Sequence, residues 1–413
     1  MAGPVGQNGG VTVIDADVAA AVVRYAQRFH AGLGDRHHVA SPLGAWLLLA
    51  VAGPASSGRL RAELAEVLGT DVESATAAAA ALLGSPHPLV ASAVAVWNQP
   101  GVSQALARWL AGLPAAVQTG ELPSQPAADA WAREHTFGLV ERFPLELTPD
   151  VLLVLASALA TKVSWDQPFR RVPADRLGPA SPWAGKLTGV LQSPGYHGHW
   201  HLIAVTDQAG EVIVHAAQAR GGLLVTSVAA LPEVPPADVL AAAHQVATRL
   251  AAGGQLTHRS LFDLPLGQAP LWTLTERPAI GHGGPEQHTA VLPAWSANSE
   301  HDLAGPRLGF GTVAAAVADL LGLVDYGYKA KQSAVARYSR IGFEAAAVTG
   351  FFETTSAPSG VQRVAELRFG HPFAVVAVTR SEHLDKEAGA APWHGLPVFS
   401  AWITDPDDTP EAD

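Results

Sequence analysis

Apolar residues recur at three- and four-residue spacing from Val11 to Gly32, and this predicts a helix. Ser41-Pro42-Leu43 opens a second helix, since serine suits the N-cap and proline fits the first turn. Leu47-Leu48-Leu49 carries it on to Gly53. A third helix is expected over Leu60–Leu68, ending at the C-cap Gly69. Val90–Trp97 alternates as a strand does, and Ala127–Phe143 reads as a helix. Val151–Trp165 is long, apolar and β-compatible at its C-terminal end, as a buried central strand would be.

Residues 170–290 are rich in Gly, Pro and His. They hold short β-like runs at His201–Thr206, Val212–His215 and Leu223–Val228, and one helix near Ala237–Ala252. No linker marks a boundary and no repeat appears. One domain over 11–406 is expected, after a flexible 1–10 and before an acidic tail, 407–413.

Composition narrows the function. The 413 residues are 48% hydrophobic and 15% charged, enough for a large core. The net charge of -11, with no basic block, argues against nucleic acid or an anionic membrane as partner. Without cysteine there is no disulfide, thiolate nucleophile or cysteine-held metal. Met1–Asn8 lacks the charged and apolar regions of a signal peptide. Ala45–Ala52 and Val151–Ala160 fall short of the roughly 20 residues that cross a bilayer. A cytoplasmic protein is expected.

The most informative stretch is Ser339–Gly350, where Gly342 is followed by Phe343, Glu344 and the small residues Ala345, Ala346 and Ala347. Other segments join it in order: Val39-Ala40-Ser41-Pro42-Leu43, Gly58 to Gly69, and Trp131 with Thr136 and Gly138. Then come Ser157–Phe169 with Lys162 and Trp165, Leu292-Pro293-Ala294-Trp295, and His301-Asp302-Leu303. His371-Pro372-Phe373 and Val398–Pro406 close the series. In this order the chain resembles the serpins, as a bacterial member, over roughly Val11 to Pro406. Residues 170–290 match poorly.

The resemblance implies an α+β fold with three β-sheets, eight or nine helices and an exposed reactive-centre loop, here about 342–363. It implies a monomer, no cofactor, and an extracellular location as an alternative. It implies inhibition of a serine protease rather than catalysis. The protease cleaves the loop and is acylated, the freed loop inserts into the main sheet, and the enzyme is trapped before it deacylates. Gly342 to Ala347 would be the hinge. The bait bond would be Ser356-Ala357, one residue either way, with Thr355 beside it. These small residues suit an elastase- or subtilisin-like enzyme. Arg363 would suit a trypsin-like one but lies seven residues further on. Lys162 and Trp165 would shape the breach where insertion starts, and Ser41, Ser157 and Gln332 the shutter below it.

The fourteen residues Phe343–Ser356 would span roughly 45 Å as a strand. At about 1 kcal/mol net per ladder hydrogen bond, insertion would gain on the order of 10 kcal/mol. Several residues depart from the inhibitors' pattern. Phe343 replaces a small Thr or Ser, Glu353 would carry a carboxylate into the sheet, and Arg340 stands where an acid is usual. The shutter positions usually Ser, Asn and His read Gly44, Ser157 and Gln332. These departures favour the alternative, a non-inhibitory relative that is a substrate, carrier or interaction protein.

Two further motifs have other readings. His197, His199 and His201 share one strand face, which suits zinc or copper but more often is an exposed hairpin face. No metal is expected. Gly309-Phe310-Gly311-Thr312 loosely matches a dinucleotide fingerprint, without a βαβ unit or a spaced acid. His37-His38 reads as structural.

Overall fold

A computed structural model of the chain describes residues 16–101, 103–161, 163–195, 198–279, 284–342, 360–380 and 392–409. Among these residues there are eight α-helices: α1 (Ala16–His30), α2 (Pro42–Ala52), α3 (Gly58–Leu68), α4 (Val72–Gly84), α5 (Gln104–Ala111), α6 (Gln125–His135), α7 (Pro236–Ala251) and α8 (Phe310–Leu321).

Among the described residues the strands fall into two six-stranded sheets, a three-stranded sheet and a two-stranded one, where three sheets were expected. The first runs β1 (His38–Ala40), β17 (Pro397–Ile403), β16 (Phe373–Thr379), β9 (Leu223–Ala229), β8 (Gly210–Ala219) and β7 (His199–Thr206). The second runs β10 (Gly267–Gln268), β11 (Trp272–Pro278), β15 (Val361–Arg368), β12 (Glu286–Leu292), β6 (Gly189–Gln192) and β5 (Arg170–Pro173). The three-stranded sheet is β3 (Gln118–Glu121), β2 (Val90–Asn98) and β4 (Leu153–Thr161). The two-stranded sheet is the antiparallel pair β13 (Trp295–Asp302) and β14 (Lys331–Tyr338).

Local chemistry accounts for the frame. Every residue of α2 is buried, which its apolar circumference requires of a central helix. Ser41 caps it, its Oγ accepting from Gly44 N at 3.3 Å. Gly69 ends α3 in the left-handed region at φ 73°. β9, β16 and β17 are buried along their whole length, and α7 covers one face of their sheet.

Helix α6 stops at His135, short of the expected Phe143. The Thr136 hydroxyl bonds back to Ala132 O, and Phe137 and Gly138 take φ of 53° and 78°. That left-handed turn reverses the chain, and Phe143 returns against Trp97 and Trp131. β15 starts at Val361, so residues 361–363 of the expected loop are strand.

Candidate functional site

The three-stranded and two-stranded sheets face each other across a gap between β4 and β14. β4 is paired along one edge, with β2, and β14 along one edge, with β13. Among the described residues no ladder joins β4 to β14. Their C-terminal ends meet, and Leu155 to Leu159 face Lys331 to Ser333 across the gap while Thr161 faces Val335 to Tyr338, so the two strands run in the same direction. Trp165 N donates to Ile341 O at 3.4 Å, and Phe169 N to Arg340 O at 3.0 Å. An isolated bridge pairs Ser164 with Gly342.

Gly342 is required at this closure. Its φ is 84°, and a Cβ there would lie 2.2 Å from Val163 O. Ser339 Oγ locks the turn, accepting from Gly342 N at 3.2 Å and donating to Gly342 O at 3.0 Å. Trp165 is fully buried beneath it, and its Nε1 donates to Ser339 O at 2.8 Å. Around the indole stand Tyr338 at 4.8 Å and Phe169 at 5.8 Å between ring centres, with Trp295 stacked on Tyr338. Burial pushes the Tyr338 phenol well above its usual range, so the ring is a neutral packing element.

Below this closure the gap continues as two cavities of about 50 Å³ each. The upper is bounded by Thr161 and Val163 on the β4 side and Val335 and Tyr338 on the other. The lower lies between Ser157 of β4 and Gln332 of β14, with Trp131 of α6 and Leu48 of α2 in its walls. Gln332 ties β14 to the start of α2: Ser41 N donates to its Oε1 at 2.9 Å, and its Nε2 donates to Ser41 O at 2.8 Å. Ser41 Oγ donates to Val398 O at 3.0 Å. Gly44 leaves room here, since a Cβ would meet Ser41 Oγ at 3.3 Å and Ser157 Oγ at 3.5 Å.

The fold as a whole is similar to solved structures. The native state of tengpin, a thermophilic serpin, is 13% identical, covers 98% of this chain and 97% of its own, and has a TM-score of 0.64. The chain is 14% identical to human thyroxine-binding globulin complexed with thyroxine, with 95% and 98% coverage and a TM-score of 0.61. The Manduca sexta serine protease inhibitor (serpin)-12 is 14% identical, with 96% and 100% coverage and a TM-score of 0.59. The chain has the serpin fold. No family model and no curated protein matches its sequence.

Within this serpin fold the structure brings Ser41, Ser157, Gln332, Trp165 and Gly342 to the two ends of one gap. Lys162, the hinge residues Phe343, Glu344, Ala345, Ala346 and Ala347, and the bait residues Thr355, Ser356 and Ala357 lie outside the described residues. Arg363 sits in β15, and its Nη1 donates to Leu261 O at 2.7 Å and Leu264 O at 3.0 Å.

The expected exposed histidine face is corrected. His199 is buried and His201 half-buried, because Phe169 and β12 pack over this part of the sheet. His199 Nε2 donates to Gln167 O at 2.9 Å, so its Nδ1 accepts from His215 Nε2, also at 2.9 Å. His201 Nε2 meets Ser193 Oγ at 2.6 Å. Burial lowers His199 to about 4, and His201 and His215 well below the usual range. His197 lies outside the described residues. Among those described, no group of three His, Asp or Glu is placed to hold a metal ion.

Gly309 takes φ 84° and starts α8 after a turn, not after a strand, so the glycine pair serves a helix start. His37 and His38 are structural: His37 Nδ1 accepts from Thr404 N and Asp405 N, and His38 is buried in β1. Among the described residues no helix is long and apolar enough to cross a membrane.

Proposed function

We propose that this chain inhibits a serine protease as a suicide substrate. The observation that carries the reading is the split between β4 and β14, two strands in the same direction with facing unpaired edges. The chain leaves β14 through Gly342 at the joined end of the gap. A segment turning back from Gly342 would run antiparallel to both strands. It would find the nine residues of β4 on one side and the eight of β14 on the other.

In this reading the protease serine attacks the Ser356 carbonyl. The bond to Ala357 nitrogen breaks, the amine leaves with a proton, and the acyl ester holds the enzyme on Ser356. The freed Phe343–Ser356 then fills the gap before water cleaves the ester. The protein supplies bait and a spring and performs no catalysis. The Manduca sexta protein of the same fold carries the name of a serine protease inhibitor, which fits the reading.

Phe343 sets the difficulty. It follows Gly342 and would enter beside the buried Trp165–Tyr338 pair. Crowding costs about 1–3 kcal/mol, and a barrier raised by about 1.4 kcal/mol slows insertion tenfold against deacylation. This supports the second reading, a cleavable but non-trapping relative. Thyroxine-binding globulin shares the fold and is named for a small ligand, which keeps a carrier within that second reading.

Mixing the protein separately with subtilisin, pancreatic elastase and trypsin tests the proposal. Trapping gives a denaturation-resistant band of summed mass and a cut at or beside Ser356. Clean loop cleavage without adduct, by every enzyme, sinks it. The Phe343→Thr variant would then show whether this ring alone is responsible.

A further inference from the structure

Strand β15 follows the expected bait loop and is paired along both edges. It makes seven antiparallel pairs with β11, from Trp272↔Leu367 to Pro278↔Val361. It makes six parallel pairs with β12, from Glu286↔Arg363 to Val291↔Arg368. Two arginines fasten it further. Arg363 reaches Leu261 O and Leu264 O and lies 4.8 Å from the centre of the Phe262 ring. Arg368 is buried and donates to Thr273 Oγ1 at 2.7 Å and Trp272 O at 3.0 Å, and also to Ala269 O. The β10–β11 hairpin therefore covers what would otherwise be the outer edge of β15.

Chain length turns this into a constraint. If Phe343–Ser356 filled the gap uncleaved, roughly 45 Å of strand would point away from the closed end. Only residues 357–359 would remain to return to Gly360, a reach of about 10 Å. The nine residues 360–368 would have to join them, extending the reach to roughly 40 Å. Phe369, just past β15, donates its N–H to Val291 O, close in sequence to the Trp295 that stacks on Tyr338 at the closed end, so insertion without cleavage demands that β15 leave its sheet.

We propose that the β10–β11 hairpin is a clamp on β15 that makes loop cleavage the obligatory trigger and blocks spontaneous insertion of the intact loop. The clamp rests on the insertion reading above. Its partner is the chain's own β15, and its function is to keep the uncleaved protein armed.

The test uses the full chain, intact and nicked in the loop. The intact protein is held just below its unfolding transition while its urea midpoint is followed. Arg363→Ala/Arg368→Ala loosens the clamp, and Arg363→Ala alone serves if the double variant fails to fold. Adding Thr275→Cys and Val364→Cys, an opposed pair in a cysteine-free chain, relocks it when oxidised. The clamp predicts that intact wild type keeps its midpoint. The loosened variant should convert to the midpoint of nicked protein at least tenfold faster, only when reduced. Wild type converting as fast as the variant, or a folded variant that never converts while nicked protein is stabilised, overturns the clamp. Amide exchange over 361–368 reads the clamp without any insertion. It should quicken at least tenfold in the loosened variant, and unchanged exchange overturns the clamp. Nicked wild type that gains no stability refutes the insertion reading, and with it the role assigned to the clamp, whatever the exchange result.

Discussion

His30 Nδ1 lies 2.9 Å from His38 Nε2 in the buried angle between α1 and β1. The direction of this bond is decided by its neighbours. His38 Nδ1 faces the Arg36 carbonyl at 2.7 Å, which only accepts, so His38 Nε2 has no hydrogen and accepts from His30. His30 Nε2 must then accept from Ser400 Oγ, at 2.6 Å. With both rings neutral every bond of the relay is made; a proton added at His38 Nε2 would set N–H against the His30 N–H, and one added at His30 Nε2 would force the Ser400 hydroxyl to turn and accept. His301, whose Nε2 bonds Val39 O at 2.7 Å, and His244 adjoin the same rings.

Acid should therefore weaken this fold in a defined window. Burial holds His38 and His244 at about 4 and His30 well below its usual range. Between about 6.5 and 4 the unfolded chain binds protons that the folded chain refuses, so stability falls as pH falls. A ring whose value drops to about 4 contributes a loss of about 3 kcal/mol, complete near pH 4. Urea midpoints should be level above pH 7 and decline from about pH 6.5. His38→Gln should flatten part of that decline. A level midpoint down to pH 4 would refute the neutral relay.

At Gly342 the expected effect is local. Gly342→Ala places a Cβ against Val163 O in a left-handed backbone, at about 1–3 kcal/mol for the strain before the clash is relieved. The closure at Ser164 should open while the sheets themselves persist. Amide exchange at Trp165 and Phe169 should accelerate, because their donors point at Ile341 O and Arg340 O. Unchanged exchange there would mean that the closure does not depend on this turn.

How much was legible in the sequence depended on how local the chemistry is. Ser41 as a cap and Gly69 as a stop follow from neighbouring residues alone. Trp165 and Gly342 could be singled out from their flanking strings, but not the meeting of their segments, where Ser164 bridges Gly342 and Trp165 N donates to Ile341 O from the other end of the chain. Phe169 stood in a recognised string without a role, and nothing marked Tyr338. His199 and His201 were misjudged because alternation tells which residues share a face, not what covers it. The end of α6 was missed because a threonine bonding back to its own helix and a left-handed Phe137 leave no periodic signal. The β10–β11 hairpin fell in the Gly- and Pro-rich middle, where short polar strands look like loop.

Gln332 offers a sharper test of the lower gap. Gln332→Ala leaves Ser41 N and O without their partner in a half-buried site, a cost of about 1–3 kcal/mol. Gln332→Glu keeps the acceptor for Ser41 N but turns the donor to Ser41 O into a second oxygen. At neutral pH the Glu variant should be the less stable of the two, because a carboxylate then faces a carbonyl. Protonation restores a donor, so that order should reverse as the carboxyl is titrated. Equal urea midpoints for wild type and both variants would show that this contact does not hold β14 to α2.

Arg363 allows a check on β15 that needs no inhibitor chemistry. Trypsin needs an extended backbone and a free arginine. Both edges of β15 are occupied, and the Arg363 guanidinium is held by two carbonyls and lies 3.5 Å from Glu276. Arg59 shows the contrast, with a side chain 85% exposed at the start of α3. Digestion of the folded protein should leave the Arg363–Val364 bond intact, and urea should bring its cleavage in together with global unfolding. Peptide mapping separates this bond from cuts nearer Ser356. Cleavage after Arg363 in native buffer, at a rate comparable to that after Arg59, would mean that β15 is not held in its sheet. The bait assignment would then have to be reopened toward a trypsin-like protease.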